Sequence, residues 1–450
     1  MMTYTMKQYE TFIFDSCAFD PKAGKIELRY SLDEEAHFTE TLLLPPPAKP
    51  YALCPTPNAL QALHIIGGIS YFKTCCPKKI EIRSGSLSKE ETVFWNTVYT
   101  KGLGEFFFKN KIDFRGLINF PPSKVQSPNS NPTPSPNPSP SPELLIPIGG
   151  GKDSTVTVEL LKKAGYEITL LRIGNHPLIE ETAKIAGLPM LTVERKLAPE
   201  LFDLNAQGAL NGHVPVTAYL SILSCVIAEL YGFEAVVMSN ERSASEGNVD
   251  YLDMQINHQW SKSLECERML RQKLANNGSH VEYFSLLRPL TELAIAKHFA
   301  NMPQYFDCTT SCNANWKILG KKQASRWCGT CPKCAFTFTM LAAFLPQDIL
   351  QTIFGSNFFD EEQLLPMFRQ LLGLEGFKPF ECVGTPEETI AAFLLAHERG
   401  DLNRSKAMKL FLEHVMPTLK QPKKLVEEVL KPSSDHCIPA AFTHIIHEDR

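Results

Sequence analysis

No stretch of this chain is both long enough and apolar enough to suggest a membrane span. The longest apolar tract, Val214 to Met238, is broken by Glu229 and Gly232, so it reads as a buried helix followed by a strand. No leader is expected either. The opening MMTYTMKQYETFIFD has no basic region followed by an apolar core and a small-residue cleavage site, so a cytoplasmic location without membrane insertion is expected. Charge of neither sign dominates: 45 lysines and arginines stand against 49 aspartates and glutamates, a net charge of −4. That balance gives no broad nucleic-acid footprint and leaves only local basic patches open. The 13 cysteines lie in a long chain with no secretory signal, which points to thiols or metal ligation rather than a disulfide scaffold. At 450 residues, 44% hydrophobic and 21% charged, the chain can bury a core and has room for two or three domains.

One break in organisation is plain. From Phe120 to Pro142 the sequence is Pro, Ser and Asn with scarcely an apolar residue, which reads as an extended, partly stiff linker. Before it, residues 1–119 carry strand patterns at Lys25–Tyr30 and Lys79–Ile82 and a helical pattern at Ala59–Phe72, predicting a small α+β domain. After it, strand patterns at Leu144–Ile148, Glu167–Arg172, Pro189–Val193, Ala235–Ser239 and Val281–Leu286 alternate with helical stretches. That alternation predicts an α/β domain over 143–334 with a doubly wound, Rossmann-like parallel sheet. From about 335 to 450 helical periodicity dominates, and an α-helical C-terminal region is expected.

The segment LLIPIGGGKDSTVTVELL places three glycines between a strand pattern and an amphipathic helix pattern. Without Cβ atoms, Gly149, Gly150 and Gly151 let the backbone turn sharply and bring its N–H groups close to an anion at the helix N-terminus. Lys152 adds charge, Ser154 a hydroxyl, and Asp153 a carboxylate suited to a metal or its water shell. A Walker A loop is excluded, because Ile146 stands where its first glycine is needed and Asp153 where Ser or Thr should follow the lysine. A dinucleotide fingerprint is excluded too, since its last glycine would fall on Ser154. The loop resembles the S-G-G-x-D-S signature of the PP-loop pyrophosphatases, with Gly149 in place of the first serine. The resemblance implies cleavage of ATP between its α and β phosphates with Mg²⁺, Gly149 to Ser154 holding the nucleotide.

Further on, CTTSCNANW and RWCGTCPKC bring Cys328, Cys331 and Cys334 to successive x₂ spacings, with Cys312 and Cys308 upstream. A tetrahedral structural zinc with Cys312 as fourth ligand fits this spacing, Cys308 being the alternative; an iron–sulfur cluster or plain thiols also fit. The polar run SNERSASEGN follows the Ala235–Ser239 strand, where a ligand loop is expected, and includes Glu241. Beyond it His258, Lys262 and Glu265 fall at i, i+4 and i+7, predicting one helix face, functional as a group or simply solvated. Cys382 sits in KPFECVGTPEE, a Pro/Gly loop, as either a reactive thiol or a small buried one.

Together GGISYFK, GGGKDS, GNVDYLDMQINHQWSKSLE, CGTCPKC and KPFECVGTPEE resemble the ATP-dependent epimerases of UDP-N-acetylmuramoyl-L-alanyl-L-glutamate, which serve bacterial peptidoglycan synthesis. The Pro/Ser linker is not part of the resemblance. What it implies is inversion of the terminal glutamate through an adenylate, with Lys152 and Asp153 at the phosphates and His258, Lys262, Glu241 and Cys382 as candidates for proton transfer. Arg242 and Lys262 are candidate clamps for the UDP pyrophosphate or free carboxylates. Two rivals stay open at this level: another PP-loop adenylating enzyme that transfers nitrogen or sulfur, and a non-catalytic nucleotide-binding protein.

Overall fold

A computed structural model describes residues 8–47, 55–122, 142–316 and 325–447. The Pro/Ser linker reading at 120–142 falls mainly on 123–141, outside the described residues. The chain begins with β1 (Thr11–Asp20), β2 (Lys25–Leu32) and β3 (Ala36–Leu43), followed by α1 (Pro57–Phe72), β4 (Lys79–Ile82), α2 (Lys89–Gly102) and α3 (Gly104–Asn110). Strands and helices then alternate: β5 (Glu143–Pro147), α4 (Lys152–Lys163), β6 (Glu167–Ile173), α5 (Pro177–Ala186), β7 (Met190–Lys196), α6 (Pro199–Ala206), α7 (Val216–Tyr231) and β8 (Ala235–Met238). A short hairpin, β9 (Val249–Tyr251) and β10 (Met254–Ile256), precedes α8 (Leu264–Asn276), β11 (Glu282–Ser285), α9 (Glu292–Phe299) and α10 (Pro332–Ala342). The remainder is helical: α11 (Gln347–Phe354), α12 (Leu365–Leu371), α13 (Pro386–Arg399), α14 (Lys406–His414), α15 (Pro422–Leu430) and α16 (His444–His447). The five strand patterns read after the linker, the apolar tract as helix then strand, and the helical C-terminal region all match these elements.

Nine of these strands form one sheet in the order β11-β8-β5-β6-β7-β3-β2-β1-β4. The β11-to-β7 half is parallel, and its strands are apolar on both faces. In β5, Leu144 and Ile146 enter the core built with α4, α9, α10 and α13, while Leu145 enters the opposite core built with α1 and α7. This two-sided burial is the usual state of a parallel sheet covered by helices. The sheet continues into β1–β3 because β7 pairs antiparallel with β3, Leu42 opposite Arg195. At that seam Glu40 is fully buried and accepts hydrogen bonds from Arg195 at 2.8 Å, Tyr219 at 2.9 Å and Tyr71 at 3.1 Å, so the buried carboxylate is both neutralised and bonded. The parallel order reverses between β5 and β8, and in open α/β sheets the crevice at such a switch point is where ligands sit. No helix among the described residues is long and apolar enough to cross a membrane.

Candidate active site

The glycine loop leaves the carboxyl end of β5 and runs into α4, with Gly151 as N-cap and no side chain capping the first turn. The helix therefore keeps unpaired amide donors at its positive end. Gly150 adopts φ +74°, and a Cβ there would stand 3.1 Å from the Trp316 ring and 3.2 Å from Ile179. Conformation and crowding thus demand glycine at this position. At Gly149 and Gly151, by contrast, a Cβ would meet nothing within 4 Å. Among the described residues none fills that space. Thr310 donates its N–H to the Gly150 carbonyl at 2.9 Å, fixing the outer side of the turn. Ser154 donates its hydroxyl to the Gly151 carbonyl at 3.2 Å.

Below the loop, one carboxylate oxygen from each of Asp153, Glu241 and Glu292 lies within 4.8 Å of the others. Glu241 follows β8 and Glu292 opens α9, so the trio sits across the carboxyl ends of β5, β8 and β11. Lys152 ion-pairs with Asp153 and Glu292. Burial opposes the Lys152 charge but the two carboxylates outweigh it, and its pKa lies above the ordinary lysine value. Burial and the neighbouring Asp153 and Glu241 push Glu292 above the ordinary carboxylate range. Burial likewise pushes Glu388, which accepts the Glu292 N–H at 3.0 Å, up to about 7. Both side-chain oxygens of Glu241 are buried with no hydrogen-bond partner among the described residues. A buried carboxylate without donors is expensive unless a cation meets it, and three hard oxygen ligands beside the glycine loop fit a divalent ion such as Mg²⁺.

A second group surrounds Cys382. The hairpin turn Leu252–Asp253 takes positive φ at both residues, and the chain then runs through a turn at His258 and a 3₁₀ turn at Trp260–Lys262 before α8 starts. The predicted helix face of His258, Lys262 and Glu265 is therefore corrected. Ser263 caps α8 by accepting the Cys266 N–H, so only Glu265 of the three is helical, and it pairs with Lys101 and the Trp260 indole. His258 and Lys262 instead converge on Cys382. Asn248 positions both sides: its Oδ1 accepts the His258 N–H at 2.8 Å, and its Nδ2 donates to the carbonyls of Lys378 at 3.0 Å and Pro379 at 2.8 Å. Gln259 Nε2 adds a bond to the Val383 carbonyl at 3.1 Å.

His258 lies within electrostatic reach of Cys382, while its Nδ1 meets Glu105 of α3. Burial alone would keep the thiol neutral. Lys262, Lys333 and His258 outweigh it and pull Cys382 down to about 5. Burial lowers His258, but Cys382 and Glu105 outweigh that and raise it to about 9. Glu105 falls to about 2 against its own burial, held by His258, His213 and Lys109. Lys262 is raised against burial by Cys382 and then by Glu241, Asp153 and Glu292, so its charge links the thiolate to the carboxylate trio. At neutral pH the arrangement is a thiolate–imidazolium pair backed by a carboxylate.

The sequence reading missed Glu105, Glu292, Glu388 and Lys333. Lys333 was legible as the lysine inside CPKC, but the three glutamates carry no local signal. Arg242 gives its guanidinium to the carbonyls of Lys431 at 3.0 Å and Val429 at 3.5 Å, which ties down the C-terminal end of α15. Cys312, Cys328, Cys331 and Cys334 come together, each sulfur within 4.8 Å of the other three. Cys308 lies apart, donating to the Tyr305 carbonyl and accepting from Thr182.

Comparison with known proteins adds the family. The profile described as the MurL N-terminal domain matches residues 3–286, and that of the MurL C-terminal domain matches 308–426. The chain is 39% identical over 448 residues, 98% of either chain, to the UDP-N-acetyl-alpha-D-muramoyl-L-alanyl-L-glutamate epimerase of Xanthomonas oryzae pv. oryzae. It is 39% identical over 422 residues to the protein of the same name from Salinispora tropica, covering 92% of this chain and 90% of that one. With the epimerase so named from a Micromonospora species it shares 36% over 451 residues, 97% of this chain and 98% of the relative. The chain belongs to the family of UDP-N-acetyl-alpha-D-muramoyl-L-alanyl-L-glutamate epimerases.

Proposed function

We propose that this protein inverts the terminal L-glutamate of UDP-N-acetylmuramoyl-L-alanyl-L-glutamate to D-glutamate through a glutamyl adenylate, for peptidoglycan precursor synthesis in the cytoplasm. The carrying observation is the Cys382–His258 pair, charge-coupled through Lys262 to the carboxylates beneath the glycine loop. We read the glycine loop, at the sheet's switch point, as a PP-loop and residues 143–334 as a Rossmann-like ATP-binding domain. The open space at Gly149 and Gly151 supports that reading, since a close-packed turn would have filled it.

The chemistry has a physical reason to begin with ATP. Removing a Cα proton beside an ionised carboxylate places a carbanion next to existing negative charge. When the glutamate α-carboxylate attacks the ATP α-phosphate, pyrophosphate leaves and the carboxylate charge is cancelled, giving a carbonyl that can accept the carbanion's electron pair. The free amides of α4 and Lys152 bind the phosphates. Asp153, Glu241 and Glu292 would hold Mg²⁺, which would neutralise charge on the departing pyrophosphate. With Cα inserted between them so that the pair is parted, the Cys382 thiolate would take the Cα proton on one face and the His258 imidazolium return one on the other. Lys262, charge-coupled to Cys382, would supply the ammonium that stabilises the enolate oxygen formed between these steps. Water cleaves the acyl–phosphate bond, releasing AMP and the D-epimer.

The test is incubation with the UDP-linked L-alanyl-L-glutamate, ATP and Mg²⁺ in deuterated water. The expected result is AMP together with D-glutamate carrying deuterium at Cα. ATP turnover without inversion, or inversion without AMP, would overturn the proposal.

A further inference from the structure

We infer that Cys312, Cys328, Cys331 and Cys334 hold one zinc ion, and that this ion anchors the two halves of the active site to each other. A tetrahedral ion with metal–sulfur bonds of about 2.3 Å places its sulfurs about 3.8 Å apart. Here Cys331 and Cys334 are 3.5 Å apart, Cys328 and Cys334 are 3.7 Å apart, and no pair in the set exceeds 4.8 Å. That is the size of a single ion. A multi-iron cluster spreads its cysteines around a larger body.

Donors surround these sulfurs as thiolates require. The Thr330 N–H and hydroxyl point at Cys328 Sγ at 3.4 and 3.3 Å. Cys331 is the N-cap of α10 and Cys334 lies in its first turn, where the helix end favours negative charge. Gly329, at φ +66°, makes the tight turn between Cys328 and Cys331. Four sulfur ligands fill the coordination shell and leave no position for a catalytic water, so the ion is structural.

What it would secure is visible from the neighbours. Upstream of Cys312, Thr310 bonds the Gly150 carbonyl and accepts the Cys312 N–H at 3.1 Å; downstream, Trp316 packs on Gly150. Asn313 bonds Glu381, next to Cys382. Lys333, between Cys331 and Cys334, lies within electrostatic reach of Cys382. One ion thus fixes residues that touch both the glycine loop and the thiol loop. The zinc assignment stands on sulfur geometry alone, whereas its link to the two steps rests on the proposed function.

Metal analysis of the full chain, purified without a metal-binding tag, should give about one zinc per chain. Titration with a mercurial reagent should release that zinc as four thiols react. Cobalt exchanged into the protein should show the intense visible bands of a tetrahedral thiolate site. Cys331→Ser should lose the metal, whereas Cys308→Ser should keep all of it. Metal-free wild-type protein, iron in place of zinc, or zinc lost from Cys308→Ser but retained in Cys312→Ser would each overturn the assignment. If zinc is present as expected yet the AMP and deuterium assay fails, the proposed function falls and the zinc site stands.

Discussion

Beneath the glycine loop three carboxylates, Asp153, Glu241 and Glu292, gather around the single ammonium of Lys152. Around Cys382 the balance reverses: one thiolate faces His258, Lys262 and Lys333. The first region sets carboxylates beside the glycine loop, so a polyphosphate bound there, as proposed, would need a metal cation as well. The second gathers cations around a thiolate, with Glu105 behind His258, and the ammonium groups of Lys262 and Lys333 suit a substrate whose reacting centre becomes an enolate. In the proposed function, adenylation and proton transfer would occupy different electrostatic environments, joined at Lys262. Variants that disturb one region and spare the other can break this division.

Asp153→Asn should have the broadest effect. It keeps size but removes the charge of a proposed cation ligand, so pyrophosphate release and inversion should fall together by roughly 10²- to 10³-fold, the several kcal/mol a metal contact supplies. Retained pyrophosphate release would remove Asp153 from the mechanism. The second region should set the pH profile. The proposed mechanism requires Cys382 ionised and His258 protonated, so kcat/KM should rise through about 5 and fall through about 9. Beyond either limb the loss is about tenfold per pH unit. Pyrophosphate exchange measured separately should lack this bell.

Glu105→Gln sharpens the assignment further. The carboxylate raises the His258 pKa, so its removal should lower the alkaline limb by about one to three units while the acid limb moves little. An unmoved limb would show that another group is titrating. Asn248→Ala should act least, a several-fold loss confined to inversion, because it only loosens the contact between the His258 turn and the Lys378–Pro379 backbone. Equal loss in pyrophosphate exchange would assign Asn248 a structural role across the whole site.

The sequence made one of these regions easier to read than the other. The glycine loop is a local object: a β-strand, three glycines and a helix start are contiguous, and the backbone freedom they supply is written in the residue type. The cysteine spacing is local in the same sense. The thiol region is assembled from α3, the turn after β10, the start of α10 and the loop before α13, so Glu105 and His258 are neighbours across 153 positions. No periodicity reports such a contact. The helical spacing of His258, Lys262 and Glu265 misled for a local reason, because Ser263 is a helix-start residue and the turn before it reaches Cys382 without a helix. The predicted parallel strands appear within a few residues of their patterns. The antiparallel β3–β7 seam that joins them to the N-terminal strands does not, since it rests on the long-range Glu40–Arg195 pair.

Cys382→Ala, assayed for ATP–pyrophosphate exchange and for deuterium entry at the glutamate Cα in the same preparation, tests the division most directly. Exchange within a few-fold of wild type with deuterium incorporation down roughly 10²- to 10⁴-fold is the predicted result. Wild-type deuterium incorporation in the variant would contradict the account at its centre.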